Sequence, residues 1–315
     1  MSIKKEYVGL AAVIVALVLY LVLRDSDRTH YELPALGTIE RDGIDRIEIA
    51  GAADSLTLAR GDDGWTIEPQ GYPVATAKID EMLGAVTGLT PTSLVSESEN
   101  YRQYDLTDDA KIRVEAAGGG KVLRRFDVGK AASTYRHTFV LLDGDPRVYQ
   151  ARENVRRVFE TTVDQLRDRN VFAVDRDAVT GIAVSDSSGT LDLAKTTKTL
   201  EPTEEGAPPV TVTAWLTADS LEADGAVVDQ ILGRIVNLQA DGFPEEMTKA
   251  QLGAPAYTLV ATGAAGDTLR LYGERDDKKH LASSSRYPFP FLLAEWKVKQ
   301  IRKSPAELMG ESTDE

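Results

Sequence analysis

The chain repeats itself, and that constrains its fold more than any other feature. "IDRIEI" (44–49) precedes "SLTLAR" (55–60), and "VTGIAV" (179–184) precedes "TLDLAK" (190–195). From 44 to 179 and from 55 to 190 the displacement is the same, 135 residues, and "VDQLR" (163–167) meets "VKQIR" (298–302) at that displacement too. Ordered matches with apolar positions in step argue for an internal duplication. A helical pattern, "KIDEMLGAVTGL" (78–89), is echoed by "VVDQILGRIVNL" (227–238), where Asp80, Leu83, Gly84 and Leu89 meet Asp229, Leu232, Gly233 and Leu238, each 149 positions later. The larger displacement places extra residues before the second helix, in a Pro- and Glu-bearing stretch at 196–213.

Each copy reads as strands followed by a helix and then hairpins. Apolar residues alternate at Ile44, Ile47 and Ile49 and at Leu56 and Leu58, as in half-buried strands. "GDDG" (61–64) turns the chain into a third strand with Trp65 and Ile67. The helix over 78–89 carries Ile79, Met82, Leu83 and Val86 on one face. Two hairpins follow, turning at Gly118–Gly120 and at Asp143–Pro146, and the charged run "ENVRRVFETTVDQLRDR" (153–169) is expected to close the copy as one helix. In the second copy "TTKTLEPTEEGAPPVTVTAWL" suits an extended hairpin with a solvated tip. The expected fold class is α+β, an N-terminal transmembrane helix followed by two tandem copies of an antiparallel-sheet-plus-helix unit. The expected division is a cytoplasmic tail (1–6), a span (7–23), a linker (24–38), repeat units at 39–172 and 173–308, and a tail at 309–315.

The span rests on "YVGLAAVIVALVLYLVL" (7–23), which holds no charge. A bilayer core of about 30 Å needs roughly 17–25 apolar residues in a helix. The anchoring residues would be Tyr7, Val8, Leu10, Val13, Ile14, Leu17, Leu19, Tyr20, Leu21 and Leu23. A cleaved leader would want small residues just after the apolar run, and "LVLRDSD" offers none in place. Lys4 and Lys5 before the span favour an extracytoplasmic body.

A net charge of −14 at pH 7 disfavours nucleic acid as a partner, because phosphates would be repelled. Cysteine is absent, which excludes disulfides, thiolate metal sites and a cysteine nucleophile. His137 and His280 fall at comparable strand positions but lack convergent ligands, and His30 lies in the linker, so no metal is expected. Asp62–Asp63, Asp108–Asp109 and Asp276–Asp277 sit in expected turns, where Asp bonds its own backbone. "GGGK" (118–121) and "DVGKAAST" (127–134) lack the first glycine of a phosphate loop and read as strand turns. No catalytic grouping emerges, and neither enzymatic activity nor a cofactor is expected. The aromatic stretch "RYPFPFLLAEW" (286–296) either fills the core with Phe289, Phe291 and Trp296 or faces a partner. The candidate partner contacts are Glu201, Glu204, Glu205, Pro208 and Pro209 in the insertion, with Arg286, Tyr287, Phe289 and Phe291.

"GWTIEPQGYPVATAKIDEMLGAVTGL", "YDL", "FDVGK", "YRHTFVLLDGDPRVYQA" and "QLRDRNVFAVDRDAVTGIAV" occur in that order. Together they resemble the bacterial family catalogued as domain of unknown function 4340, from about Ile44 to Ile301. The long loop at 196–213 departs from the family's simpler pattern. The resemblance implies a membrane-anchored protein, often encoded beside ABC transporter subunits of the gliding-motility auxiliary type, and supplies no catalytic residues. The expectation is a non-enzymatic, single-pass accessory or scaffold subunit of an ABC-type complex at the bacterial inner membrane, contacting permease or auxiliary subunits. The alternatives are an envelope glycan- or lipid-binding module and, third, a hydrolase with an unrecognised site.

Overall fold

A computed structural model describes residues 13–20, 31–51, 54–200, 210–263, 266–275 and 278–311. The strands, in chain order, begin with β1 (Arg46–Ala50), β2 (Ser55–Gly61), β3 (Gly64–Glu68), β4 (Tyr72–Pro73), β5 (Pro91–Ser96) and β6 (Ile112–Gly118). β7 (Lys121–Ala131), β8 (Thr138–Leu142), β9 (Asp145–Ala151), β10 (Asn170–Phe172), β11 (Gly181–Asp186) and β12 (Gly189–Leu200) follow. The last are β13 (Val210–Leu216), β14 (Leu238–Gln239), β15 (Tyr257–Thr262), β16 (Asp267–Glu274), β17 (Lys279–Ser284) and β18 (Phe291–Ala294). Helices are few: α1 (residues 13–20), α2 (Thr76–Thr87), α3 (Arg156–Phe159), α4 (Val163–Leu166), α5 (Gly225–Ile235), α6 (Glu295–Ile301) and α7 (Pro305–Leu308).

The expected architecture is corrected on two counts. The described strands form three sheets, of nine, two and seven strands, instead of one sheet in each of two tandem copies. Among the described residues, no helix is long and apolar enough to cross a membrane. Within the expected span only 13–20 is described, helical with Val13, Ile14, Leu17, Leu19 and Tyr20 exposed; Tyr7, Val8, Leu10, Leu21 and Leu23 lie outside the described residues. The sheet count differs because a repeat reports which segments resemble each other, whereas pairing is a non-local choice. β5 joins β9, and β10 joins β14, in pairings the displacement of 135 does not contain.

The chain divides into two compact units, Met1–Ser55 with Glu81–Glu160, and Leu56–Asp80 with Thr161–Glu315. In the first, strands run β1-β6-β7-β8-β9-β5. The β6–β7 turn falls at Gly119 and Gly120, both at positive φ (57° and 75°), where glycine avoids the Cβ clash of the left-handed region. Ile47, Val114, Phe126, Val128 and Val140 are buried, one face of the alternation read from the sequence. Buried Arg124 donates from Nη1 to the Val86 and Thr87 carbonyls, 2.6 and 3.2 Å, satisfying the end of α2, and from Nη2 to the Gly37 carbonyl.

The second unit contains the antiparallel run β2, β3 and β4, the pair β10–β14, and the seven-stranded sheet in the order β13-β12-β11-β15-β16-β17-β18. α5 buries Val228, Ile231, Leu232 and Ile235 in a core shared with Ile182, Trp215, Tyr257, Leu259 and Phe291. Each such side chain contributes about 1.5–3 kcal/mol on burial. Asp224 starts α5 by accepting from the amides of Ala226 and Val227. β12 and β13 pair residue by residue from Ala194↔Leu216 to Leu200↔Val210, and Thr197, Lys198, Thr199, Thr211 and Thr213 along that ladder are exposed.

The single closing helix expected over 153–169 is instead α3 and α4, separated at Glu160–Thr162. Thr162 is extended, and its hydroxyl accepts from the Gln165 amide while the Gln165 side chain accepts from the Thr162 amide. That reciprocal cap begins a new helix in place of continuing the old one.

Candidate functional site

α4 ends at Arg167, whose ψ of 137° turns the chain extended. Three backbone contacts then fix this residue against β4. The Ala75 amide donates to the Leu166 carbonyl (2.9 Å), the Asp168 amide donates to the Pro73 carbonyl (2.8 Å), and Val74 bridges Arg167 itself. Phe243 is placed from elsewhere in the same unit, by a bridge between Gly242 and Leu292 of β18.

The Arg167 side chain enters an aromatic cluster and is 6% exposed. Its guanidinium carbon lies 3.6 Å from the Phe243 ring centroid, 3.8 Å from that of Tyr72 and 5.8 Å from that of Phe289. The rings hold one another: Tyr72 meets Phe289 edge-on at 4.7 Å, and Phe243 stacks on Tyr287 at 5.8 Å. Each ring over a cation contributes about 0.5–2 kcal/mol. That falls short of the several kcal/mol that burying an unpaired ion costs. Arg167 Nε is buried without a hydrogen-bond partner, and among the described residues no carboxylate pairs with the guanidinium. Tyr287 Oη is likewise buried, close enough to Arg167 for the guanidinium to act on it but without a hydrogen bond of full geometry. Burial pushes the Tyr287 phenol up, against the pull of the Arg167 charge beside it.

Beside this cluster lies a cavity of about 730 Å³, lined by Tyr72, Arg167, Phe243, Pro244, Glu245 and Glu246, with Asp164, Asp241 and Lys279 also on its wall. Two of its carboxylates are occupied. Asp164 pairs with Arg169 at 2.9 Å, and Asp241 pairs with Lys297 at 2.8 Å while accepting from the Ala294 amide. Glu245 and Glu246 are exposed and make no ion pair among the described residues. A buried cationic donor and two unpaired carboxylates therefore border one cavity.

The first unit has a second cavity of about 360 Å³, beside Arg113, Arg125, Asp127, Asp143 and Asp145. Its charges are matched internally: Asp127 to Lys111 and Arg113, Arg125 to Glu115 and Asp143, and Asp145 to Arg147. No group of three or more His, Asp or Glu among the described residues is arranged to hold a metal.

The residues singled out from the sequence fall in different settings. Tyr287 and Phe291 are buried, Phe289 is partly buried against the same core, and Trp296 is exposed beneath Arg234 and Lys297. Arg286 is half exposed and binds Asp267 through two contacts, 2.6 and 2.7 Å. Glu201, Glu204, Glu205, Pro208 and Pro209 lie outside the described residues, as do His30 and Asp276–Asp277. Sequence reasoning passes over Arg167, the last residue of "VDQLR", because the rings that enclose it come from three distant segments. Its counterpart Arg302 is exposed, so the repeat itself does not mark it.

The family model Domain of unknown function (DUF4340) matches residues 65–259, more than half of the chain, and the chain belongs to that family. No curated protein and no solved structure matches it.

Proposed function

We propose that this chain is a non-catalytic accessory subunit of an ABC-type membrane complex, working on the extracytoplasmic side of the bacterial inner membrane and held there by its partners. The observation that carries the reading is the β12–β13 ribbon. It stays paired out to Leu200↔Val210 although its outer residues are exposed, and β13 forms one edge of the seven-stranded sheet. A two-stranded ribbon is only marginally stable in water, and an edge strand offers free amides and carbonyls to an incoming strand. A partner laid along β13 would satisfy both. A photo-crosslinker at Thr211 or Thr213 in intact cells is expected to capture a permease or auxiliary subunit. Recovery of the chain alone from native membranes in mild detergent, with no adduct at either position, would sink the proposal.

A second reading, a binding module for an envelope ligand, is favoured by the cavity beside Arg167. Ligand loading would then be the signal that the accessory subunit passes to its partners.

A further inference from the structure

We propose that the cavity beside Arg167 binds a small zwitterion, a free amino acid or a short peptide. The ligand carboxylate is received by the Arg167 guanidinium and its ammonium group by Glu245 and Glu246. The inference rests on the second reading above and is independent of the β13 edge.

Arg167 carries a donor that the protein does not answer. Tyr72 and Phe243 approach the guanidinium carbon at 3.8 and 3.6 Å, and ring faces compensate its charge. They do not accept the N–H groups, which point outward in the guanidinium plane. Arg167 Nε makes no hydrogen bond, and Tyr287 Oη, which the guanidinium pulls on from within the same cluster, does not complete one with it. Buried polar groups in folded proteins are nearly always bonded, and a guanidinium held flat is a fork that matches a carboxylate.

Besides Arg167 the wall carries carboxylates. Asp164 and Asp241 are neutralised by Arg169 and Lys297, and Lys279 on the same wall is itself engaged, which leaves Glu245 and Glu246 as unpaired carboxylates. A phosphate dianion reaching Arg167 would face both carboxylates, and the chain's net charge of −14 would oppose its approach. A simple cation would face Arg167. A molecule with a carboxylate at one end and an ammonium at the other meets a complementary charge at each. The volume of about 730 Å³ leaves room for several residues and lies within the usual range for small-ligand sites.

The test uses the full chain labelled with 15N-arginine. Glycine, triglycine, N-acetyl-triglycine and inorganic phosphate are titrated by calorimetry and by the arginine Nε–H resonances. Saturable binding of glycine or triglycine is expected, shifting one Nε–H signal that is missing in Arg167→Gln. Which of the two binds more tightly tells a free amino acid from a peptide. Glu245→Gln/Glu246→Gln, both on exposed positions, should weaken triglycine by about tenfold or more and leave N-acetyl-triglycine unchanged. The Glu variant and the wild-type resonance decide the matter even if Arg167→Gln fails to fold. Three results would overturn the proposal: no saturable binding of either glycine or triglycine up to about 10 mM, tighter binding of phosphate than of both, or wild-type affinity in the double Glu variant. None of these bears on the crosslinking at Thr211 and Thr213, so each reading can fail alone.

Discussion

Asp127 is 8% exposed and accepts from Arg113 at 2.9 and 3.2 Å, with Lys111 at 2.9 Å. Burial alone would push its carboxyl up, but the bonds from Arg113 and Lys111 outweigh that and hold it below the ordinary carboxylate value. A lowered folded-state value means the stabilisation is present above about pH 4, the unfolded value, and is lost as pH falls through the folded one. Asp127→Asn should therefore cost about 2 kcal/mol at pH 7, discounted because Arg113 is half exposed. The gap between the two urea unfolding curves should narrow as pH falls below the ordinary carboxylate range and through the lowered folded-state value. Equal midpoints at pH 7 would mean the cluster has no net value. Gly129 in β7 makes a steric demand of a different kind. A Cβ there would run into the Tyr104 carbonyl oxygen and the Leu106 side chain, so Gly129→Ala should lose more than about 2 kcal/mol in the same assay. The sequence marks Asp127 and Gly129 only as part of "FDVGK" and not by these roles, because the partners that define them lie on other segments.

α2 and α5 offer a controlled comparison, since Gly84 and Gly233 occupy matching positions in the two helical patterns. A Cβ on Gly233 would meet nothing within 4 Å, whereas one on Gly84 would come within 3.0 Å of the Arg41 guanidinium. Gly233→Ala should raise stability by up to about 1 kcal/mol through helix propensity. Gly84→Ala should gain less or lose, and thermal unfolding of the two variants would expose the difference. At the start of α5, Asp224→Ala removes the acceptor for two amides and should cost about 1 kcal/mol. The helices over 78–89 and 227–238 were legible from their apolar spacing, and the buried faces are those expected. The break between α3 and α4 was not, although Thr162 and Gln165 spell a capping box. An unbroken apolar spacing from Val155 to Leu166 outweighs that local signal in a periodicity reading.

With 50 acidic against 36 basic residues, the folded chain repels itself at neutral pH. Added salt screens exposed charges beyond about 8–10 Å. Raising NaCl to about 0.5 M should therefore move the urea midpoint upward, and an unchanged midpoint would mean that the exposed ion pairs lose as much to screening as the repulsion does. The same acidity means that a partner seated on β13 should present a basic surface, and the crosslink at Thr211 should weaken in high salt.

Strand and helix identity was readable because alternation and 3.6-residue spacing are local properties of a dozen residues, and charge and cysteine content are sums over the chain. The number of sheets, the pairing of β5 with β9 and of β10 with β14, and the aromatic enclosure of Arg167 were not. Those depend on which distant segments share hydrogen bonds and ring contacts, and "VDQLR" and "VKQIR" show why spelling alone is silent on it. Two nearly identical stretches end in arginines, one enclosed by Tyr72 and Phe243 and the other exposed to solvent, because burial is conferred by neighbours that neither stretch contains.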